Sequence, residues 1–475
     1  MSYCGYIVKI EKLREHPNAD KLQIATFFGN DTCIGLDAKV GDIGVYFPTD
    51  GQLSVEFCLE NHLLRKLPDG TPDTGYMDLD KRNVKAIKLR GEKSDGIYLP
   101  ISCFDYTGAT GLKIGDTITV LNGHDICNKY IPKHNPSKVR EGNRTRKKRA
   151  PIAPLFAEHA DTEQLAYNLG AFKPGDEIEI TLKMHGTSQR TGYLPVIHHY
   201  VGPGGAFDIL NRKGIFRFIK PNKKMVEWAE NAISPVYEYD YITGTRRTVI
   251  ENYDGGFYGS NEFREQHAEA FRGKLWKGES VYYEVVGFTH IGIPIMATCS
   301  NKKMNDKEFI KQYGETTTFD YGCSATGWYI YEDGSHEERP ISDIYVYRMT
   351  MTNEDGNVVE YTPDFMRYRC EQMGVKCVPV MWKGTIPAKV IECHSNTANT
   401  EITPGDWIKN KAEKYYDGPD PIGKTHIREG VVVRILNRPK FCAYKHKNFA
   451  FKVLEGIIKE TAEAPDIEEA DGLDA

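Results

Sequence analysis

One lysine at the end of an alternating segment offers the clearest chemistry in this sequence. Between Glu177 and Met184 polar and apolar residues alternate, which predicts a strand with Lys183 on its polar face. The tetrapeptide His-Gly-Thr-Ser follows at 185–188, and its glycine allows a tight turn. A lysine placed in this way can present its amine to a phosphate group. Taken alone, the segment is more simply explained as a solvated lysine at a strand end.

Four later segments supply carboxylates, aromatic rings and two more lysines, each in a strand-like setting. Glu284 and Glu429 lie within otherwise apolar strands, where a carboxylate is costly unless it has a partner. Lys445 and Lys447 are two residues apart, so they would share one strand face. Without the upstream residues, a solvated strand edge would be the default interpretation of this pair. The four segments are Tyr282–Gly287, Tyr345–Met349, Glu429–Arg434 and Lys445–Asn448.

These segments carry a family resemblance. Lys183-Met184-His185-Gly186 resembles motif I of the covalent nucleotidyltransferases, the superfamily of ATP-dependent ligases and mRNA-capping enzymes. The four later segments resemble motifs III, IIIa, IV and V of that superfamily, in the same order, and the resemblance extends over about residues 154–456. It implies that ATP is the nucleotide, that Mg²⁺ or Mn²⁺ takes part, and that Lys183 carries a covalent lysyl-AMP.

The resemblance also implies a role for each candidate residue. Lys183, Lys445 and Lys447 would be catalytic, and Glu429 would bind the metal ion. A lysine attacks phosphorus only when neutral, and its reference pKa of about 10.4 makes that form rare at pH 7. Because nearby cations lower such a pKa, the lysine pair would activate the nucleophile as well as hold phosphates. The residues expected to bind the nucleotide are Leu182, His185, Gly186, Arg246, Glu284, Tyr347, Glu429, Lys445 and Lys447.

Three of these expectations depend on single positions. Tyr347 is at the place of the aromatic residue that stacks on adenine, with a core tyrosine as the alternative. Glu284 would contact the ribose or assist the metal ion. Arg246 belongs to Thr245-Arg246-Arg247, which resembles motif Ia, and the sequence does not decide which arginine contacts phosphate.

Two residues that depart from the common motif I pattern narrow the choice of enzyme class within the superfamily. His185 stands where many members have aspartate, which resembles the RNA-ligase branch that repairs or edits nicked duplex RNA. Ser188 stands where capping enzymes usually have arginine. We therefore expect an RNA ligase that joins 3′-OH and 5′-phosphate ends, with nicked duplex RNA as substrate and a monomeric state. A capping-type guanylyltransferase and a non-catalytic RNA-binding protein remain open as alternatives.

The chain divides into four predicted parts. Residues 1–125 contain many short strands and turns, which predict an OB-like β-barrel that either binds RNA or only packs against its neighbour. Segments 16–22 and 89–97 resemble OB-fold tRNA-binding domains, and a barrel before the catalytic domain resembles Deinococcus-type nick-sealing RNA ligases. A basic linker is expected at 126–153, a nucleotidyltransferase domain at 154–458, and an acidic disordered tail at 459–475. Within the linker, 137–149 could follow a phosphate backbone, form a solvated hinge or act as a targeting signal.

Strands alternating with helices predict an α+β fold with mostly antiparallel strands for the nucleotidyltransferase domain. The segment 418–425 has the spacing of a phosphate-binding P-loop. However, two prolines would remove amides, and no buried strand precedes it, so a loop between a helix and a strand is expected. Helices are predicted to start near Asp161 and over Lys223–Asn231, Glu262–Arg272, Lys303–Gln312, Pro363–Met373 and Pro404–Tyr416.

Composition sets limits on the partners and the compartment. The 475 residues carry a net charge of -5, so any surface for nucleic acid must be local. The eleven cysteines include no Cys-x-x-Cys pair, which argues against a zinc site or a disulfide framework. We find neither an apolar run of membrane-spanning length nor a signal peptide. These features predict a cytoplasmic protein without membrane contact.

Overall fold

The computed structural model describes residues 3–131, 152–200, 224, 235–250, 253, 258, 261–331, 333–392 and 400–461. Over these residues the chain has a mixed α+β fold, as the sequence predicts. Two pairs of its described strands are parallel and the other pairs are antiparallel. The predicted linker segment 137–149, the helix over Lys223–Asn231 apart from residue 224, and the tail beyond 461 lie outside the described residues.

The N-terminal region, residues 3–131, consists of short strands around a core that includes Phe47, Phe57 and Phe104. Its elements are β1 Gly5–Lys9, β2 Leu13–Glu15, β3 Leu22–Phe27, β4 Asn30–Gly35, β5 Ile43–Phe47, β6 Gly51–Leu53, α1 Val55–Glu60, β7 Ala86–Leu89, β8 Glu92–Asp95, β9 Ile97–Pro100, β10 Thr117–Ile118, β11 Val120–Leu121, β12 His124–Asp125 and β13 Cys127–Lys129. One sheet has the order β10-β1-β5-β9, another the order β2-β3-β4, and three pairs stand apart. The described strands do not close into a barrel, so the OB-like fold stays a prediction.

The remaining described elements form two larger sheets, three separate strand pairs and the helices between them. They are β14 Glu163–Gln164, β15 Glu177–Lys183, β16 Thr187–Tyr200, β17 Pro235–Gly244, α2 Glu262–Glu269, β18 Glu279–Gly287, β19 Cys299–Ser300, α3 Lys307–Tyr313, β20 Thr316–Thr317, β21 Trp328–Ile330, β22 His336–Glu338, β23 Ser342–Thr352, β24 Val358–Glu360, α4 Pro363–Met373, β25 Lys376–Cys377, β26 Val380–Thr385, β27 Ile391–Glu392, β28 Thr400–Glu401, α5 Pro404–Glu413, β29 Gly430–Ile435, β30 Ala443–Lys447 and α6 Phe449–Thr461. One sheet has the order β14-β30-β29-β15-β26. The other has the order β17-β16-β18-β23-β24, and β25 pairs with β23.

Local sequence signals explain several of these elements. β15 alternates as predicted, because Ile178, Ile180 and Leu182 are buried in apolar clusters. Thr362 and Thr403 accept hydrogen bonds from the first turns of α4 and α5, as the Thr-Pro pairs predict. Both helices begin at their predicted residues, and α5 ends at Glu413 rather than Tyr416.

Two predicted helices differ from the structure. Instead of a helix from Asp161, the chain forms strand β14, whose Glu163 and Gln164 pair in parallel with β30. Short 3-10 turns at Leu165–Tyr167 and Leu169–Ala171 follow this strand. The helix expected over Lys303–Gln312 is divided into a 3-10 turn and α3. Asp306 caps the start of α3, because its carboxylate accepts the amide hydrogens of Glu308 and Phe309.

The N-terminal region packs against the turns that follow β14 and against α6. The ring of Tyr6 stacks on that of Tyr167 with centroids 4.8 Å apart. Lys452 of α6 donates to the Asp95 carboxylate at 2.6 Å. This packing brings the N-terminal region to one side of the β30 strand. In the described chain, no helix has the length and apolarity needed to cross a membrane.

Candidate active site

Strand pairing brings the candidate lysine and one candidate carboxylate together. Lys183, the last residue of β15, is opposite Gly430, the first residue of β29. Gly430 is in turn opposite Lys447 on β30. Since Glu429 directly precedes Gly430, its carboxylate lies beside both lysines. A Cβ atom at Gly430 would lie 2.1 Å from the carbonyl oxygen of His446, so only glycine fits this close pairing.

Lys183 and Glu429 form an ion pair that is largely shielded from water. Lys183 Nζ is 2.6 Å from Glu429 Oε1, and the exposed fractions of the two side chains are 22% and 2%. Burial would raise the pKa of Glu429, but the charges of Lys183 and Lys447 outweigh it and hold this pKa below its ordinary value. The carboxylate therefore carries a negative charge inside the protein.

The ion pair lies where two cavities meet. An inner cavity of about 140 Å³ lies between the two large sheets. Its floor is the face of β15, β29 and β30 that carries Thr181, Lys183, Arg434 and Lys445. An outer cavity of about 390 Å³ extends from Lys183 toward the N-terminal region. A flat group could enter the first cavity while its charged substituents occupy the second.

Tyr347 lines the inner cavity from the sheet opposite Lys183. Its hydroxyl group is 3.0 Å from Ser188 Oγ. The ring of His159 approaches it edge-on, with centroids 5.0 Å apart. Burial, with the nearby charge of Arg348, lowers the pKa of His159 well below its ordinary value, so this ring is neutral. The placement of Tyr347 suits a side chain that stacks on a bound ring.

His185 and Gly186 form the turn between the two sheets. The backbone N–H of His185 donates to the hydroxyl group of Tyr321 at 2.6 Å. Burial lowers the pKa of the His185 ring to about 4, which keeps it neutral at physiological pH. A Cβ atom at Gly186 would lie 2.5 Å from the carbonyl oxygen of Val285, so glycine lets the turn pack against β18.

The two lysines of β30 differ in their surroundings. Burial, together with the charges of Lys447 and Lys183, lowers the pKa of Lys445 to about 8. Lys129 of the N-terminal region adds to this effect. Lys447 instead forms hydrogen bonds to both oxygens of Glu455 at 2.8 and 2.7 Å.

The other candidate residues also border the cavities. Glu284 lines both of them, and it is paired with Ser188 across β16 and β18. Arg246 lines both cavities, whereas Arg247 lines only the outer one, which favours Arg246 as the phosphate contact. Arg246 Nη2 is 2.5 Å from the Asp161 carboxylate. Leu182 lines the inner cavity but is 2% exposed and belongs to the apolar core.

Sequence reasoning missed several residues that border the cavities. Thr181 and Glu179 could have been found, because they alternate with Lys183 on the polar face of β15. Glu179 is buried beneath the inner cavity and pairs with Arg367 of α4 at 2.8 Å. Lys129 and Glu455 come from distant parts of the chain that carry no local signal.

Glu429 also provides a test of whether a divalent cation fits. Its Oε2 atom is buried and accepts no hydrogen bond from any described residue. Mg²⁺ commonly binds one or two protein carboxylates and completes its coordination with phosphate oxygens and water. Among the described residues no group of three or more His, Cys, Asp or Glu side chains is arranged for a metal ion. The chain thus fits a cation that nucleotide phosphates help to hold.

The segment with P-loop spacing is a loop between α5 and β29, as expected from its prolines. The backbone amides of Ile422, Gly423 and Lys424 donate to one oxygen of Asp420. The carboxylate of Asp420 thus occupies the position that a phosphate would need. This contact removes the structural basis for a P-loop at 418–425.

Comparisons with known proteins identify a shared fold. No protein-family model matches the sequence, and no curated protein matches it either. A solved structure of a Naegleria gruberi RNA ligase variant with ATP and Mn aligns over 94% of this chain and 98% of its own, with TM-score 0.50 and 14% identity. A variant of the same enzyme with AMP and Mn aligns over 94% of this chain and 97% of its own, with TM-score 0.50 and 14% identity. Another variant with ATP and Mn aligns over 96% of this chain and 99% of its own, with TM-score 0.50 and 15% identity. The chain is therefore similar in fold to an RNA ligase along nearly its whole length.

Proposed function

We propose that this protein is an ATP-dependent RNA ligase that joins 3′-OH and 5′-phosphate ends through a covalent lysyl-AMP. The observation that carries the proposal is the 2.6 Å contact between Lys183 Nζ and Glu429 Oε1 at the junction of the two cavities. The similar fold of the Naegleria gruberi enzyme, whose structures hold ATP or AMP with Mn, supports the choice of nucleotide and metal ion.

The cavities suggest how ATP would bind. The adenine ring would enter the inner cavity beside Tyr347, with Thr181 on the floor beneath it. The triphosphate would extend into the outer cavity, where Lys445 and Arg246 provide positive charge. In this binding mode the α-phosphorus would lie near Lys183.

In the first step, the neutral amine of Lys183 would attack the α-phosphorus of ATP. The new P–N bond forms as the bond to the β-phosphate oxygen breaks, so pyrophosphate leaves and the amine loses a proton. Lys445 would stabilise charge on the transferring phosphoryl group. Glu429 would hold Mg²⁺ or Mn²⁺, which supplies Lewis-acid stabilisation of phosphate oxygens when bound.

Two further transfers would seal the RNA. An oxygen of the 5′-phosphate attacks the lysyl-AMP, which breaks the P–N bond and gives an adenylated 5′ end. The 3′-OH then attacks the 5′-phosphorus, forms the phosphodiester bond and releases AMP. We propose nicked duplex RNA as the substrate, and RNA contact by an OB-like N-terminal region. We also propose that the enzyme acts as a cytoplasmic monomer.

Covalent labelling tests the first step directly. The purified protein, incubated with [α-³²P]ATP and Mg²⁺, should retain label after denaturation. Lys183→Ala should not be labelled, whereas Lys424→Ala, in the P-loop-like segment, should be labelled like the wild type. An unlabelled wild type would contradict the proposal, and preferential labelling by GTP would favour a capping-type guanylyltransferase. RNA binding without covalent labelling by either ATP or GTP would favour a non-catalytic RNA-binding protein.

The substrate is tested by sealing assays. Nicked RNA duplexes, nicks with DNA on either side, and single strands should be compared, with the nicked RNA duplex as the preferred substrate. A pre-adenylated 5′ end should be sealed without ATP. Failure on every nick despite formation of lysyl-AMP would refute the ligase assignment while leaving the nucleotidyl transfer intact.

A further inference from the structure

Glu455 is a buried carboxylate beside the candidate site and lies outside every candidate segment of the sequence. Its side chain accepts hydrogen bonds from Lys447 Nζ at both oxygens, at 2.8 and 2.7 Å. The relative exposure of both residues is only 9%. For Lys445, two residues earlier, no hydrogen bond or ion pair to a described residue is found. The two lysines of β30 are therefore not equivalent.

The start of α6 fixes the position of this carboxylate. Asn448 caps the helix, because its Oδ1 atom accepts the amide hydrogens of Ala450 and Phe451 at 2.7 and 3.3 Å. The backbone N–H of Asn448 donates to the carbonyl oxygen of Glu429 at 2.8 Å. Residues four apart share a helix face, so Phe451 and Glu455 both face Lys447. The Phe451 ring lies 5.5 Å from Lys447 Nζ.

These contacts form a row of alternating charges that ends at the candidate nucleophile. Glu455 pairs with Lys447, and Lys447 Nζ is 3.5 Å from Glu429 Oε1. The same Oε1 atom is 2.6 Å from Lys183 Nζ. The nearby Lys129, His185 and Lys445 add no negative charge. Without Glu455, the buried charge of Lys447 would draw more strongly on Glu429, 3.5 Å away, and Glu429 would then be less available to other cations.

We propose that Glu455 is a positioning residue of this site, which neutralises Lys447 and so keeps Glu429 available to Lys183 and to a divalent cation. This inference rests on the proposed function. It assigns the two lysines different tasks: Lys445 meets the nucleotide phosphates, whereas Lys447 is held in place by a carboxylate of its own.

Direct measurement of Mn²⁺ binding tests the inference without relying on turnover. Free Mn²⁺ is followed by electron paramagnetic resonance as it is titrated into the full-length protein with the unreactive analogue α,β-methylene-ATP. Glu455→Gln preserves shape but removes the charge, and we expect it to weaken Mn²⁺ binding about tenfold. Glu315→Gln, the same substitution in an exposed ion pair with Lys302 that borders neither cavity, should stay within about twofold of the wild type.

A double-mutant cycle separates charge balance from simple damage to α6. In the Lys447→Gln background there is no charge for Glu455 to neutralise, so adding Glu455→Gln should change Mn²⁺ affinity by less than about threefold relative to Lys447→Gln alone. A double variant about tenfold weaker than Lys447→Gln alone would overturn the inference, as would wild-type affinity in Glu455→Gln. A wild type without nucleotide-dependent Mn²⁺ binding would count against the proposed function itself, and the inference would fall with it.

Discussion

The buried carboxylate of Glu429 leads to a prediction about stability that can be worked out from its contacts. Its Oε1 atom lies 2.6 Å from Lys183 Nζ and 3.5 Å from Lys447 Nζ. Glu429→Gln would leave one excess ammonium charge, because Glu455 neutralises Lys447 but not Lys183 as well, and removing one partner from a buried ion pair costs about 3–5 kcal/mol. Lys183→Met should cost only about 1 kcal/mol, because Glu429 retains Lys447 and the lysine side chain is 22% exposed.

These free energies convert into measurable melting temperatures. The entropy of unfolding is about 2.1 cal/mol/K per residue, so a folded unit of roughly 300 residues has an unfolding entropy of about 0.6 kcal/mol/K. Glu429→Gln should therefore lower the Tm by about 5–8 °C, and Lys183→Met by about 2 °C. Differential scanning calorimetry in EDTA-containing buffer would measure both shifts without a bound metal ion.

The same prediction has a definite pH dependence. The pKa of Glu429 is lowered in the folded protein. The stabilisation that its negative charge provides is therefore present above the unfolded-state pKa of about 4.3 and is lost as the pH falls through the folded-state pKa. The difference in Tm between wild type and Glu429→Gln should persist at neutral pH and shrink below about pH 4. The reasoning is refuted if Lys183→Met destabilises as strongly as Glu429→Gln, or if the difference does not shrink in acid.

Three further predictions concern the nucleotide site and one helix. The pKa of Lys445 is about 8, so this lysine loses its positive charge between about pH 7 and pH 9. The KM for ATP in adenylylation should therefore rise about tenfold over that range, whereas the KM of Lys445→Arg should change little. Tyr347→Phe loses the contact with Ser188 and should raise the KM for ATP about threefold. Tyr347→Leu also loses the aromatic ring and should raise this KM about thirtyfold. Equal effects of the two substitutions would contradict stacking of Tyr347 on the nucleotide base. Thr403→Ala removes the cap that accepts from the amide of Asp406, so calorimetry should show a Tm about 2 °C lower with adenylylation unchanged.

Local patterns predicted the elements whose cause is local. The alternation of β15 placed Lys183 on the face opposite the buried Ile180, and this orientation is confirmed. The Thr-Pro pairs predicted the first residues of α4 and α5, because a threonine cap and a proline act within one helical turn. The prolines of segment 418–425 correctly indicated a loop.

The errors arise where distant segments decide the local structure. The sequence near Asp161 has the cap and spacing of a helix, yet Glu163 and Gln164 pair with β30 because an open strand edge is available there. Propensity is a weak guide when tertiary pairing supplies the backbone hydrogen bonds. Lys129 and Glu455 escaped prediction for the same reason. Each reaches the site through packing of the N-terminal region or α6, and neither is marked by its neighbours in sequence.

The candidate site depends on strand register more than on any single side chain. A shift of β29 by one residue would move Glu429 away from Lys183, and a shift within β15 would turn the lysine into the apolar core. Gly430 and Gly186 allow the close approaches that set these registers, since a Cβ atom at either would collide with a backbone carbonyl. The geometry therefore requires Gly430, directly after Glu429, and Gly186, three residues after Lys183. This explains why a short sequence pattern can indicate a site assembled from two sheets.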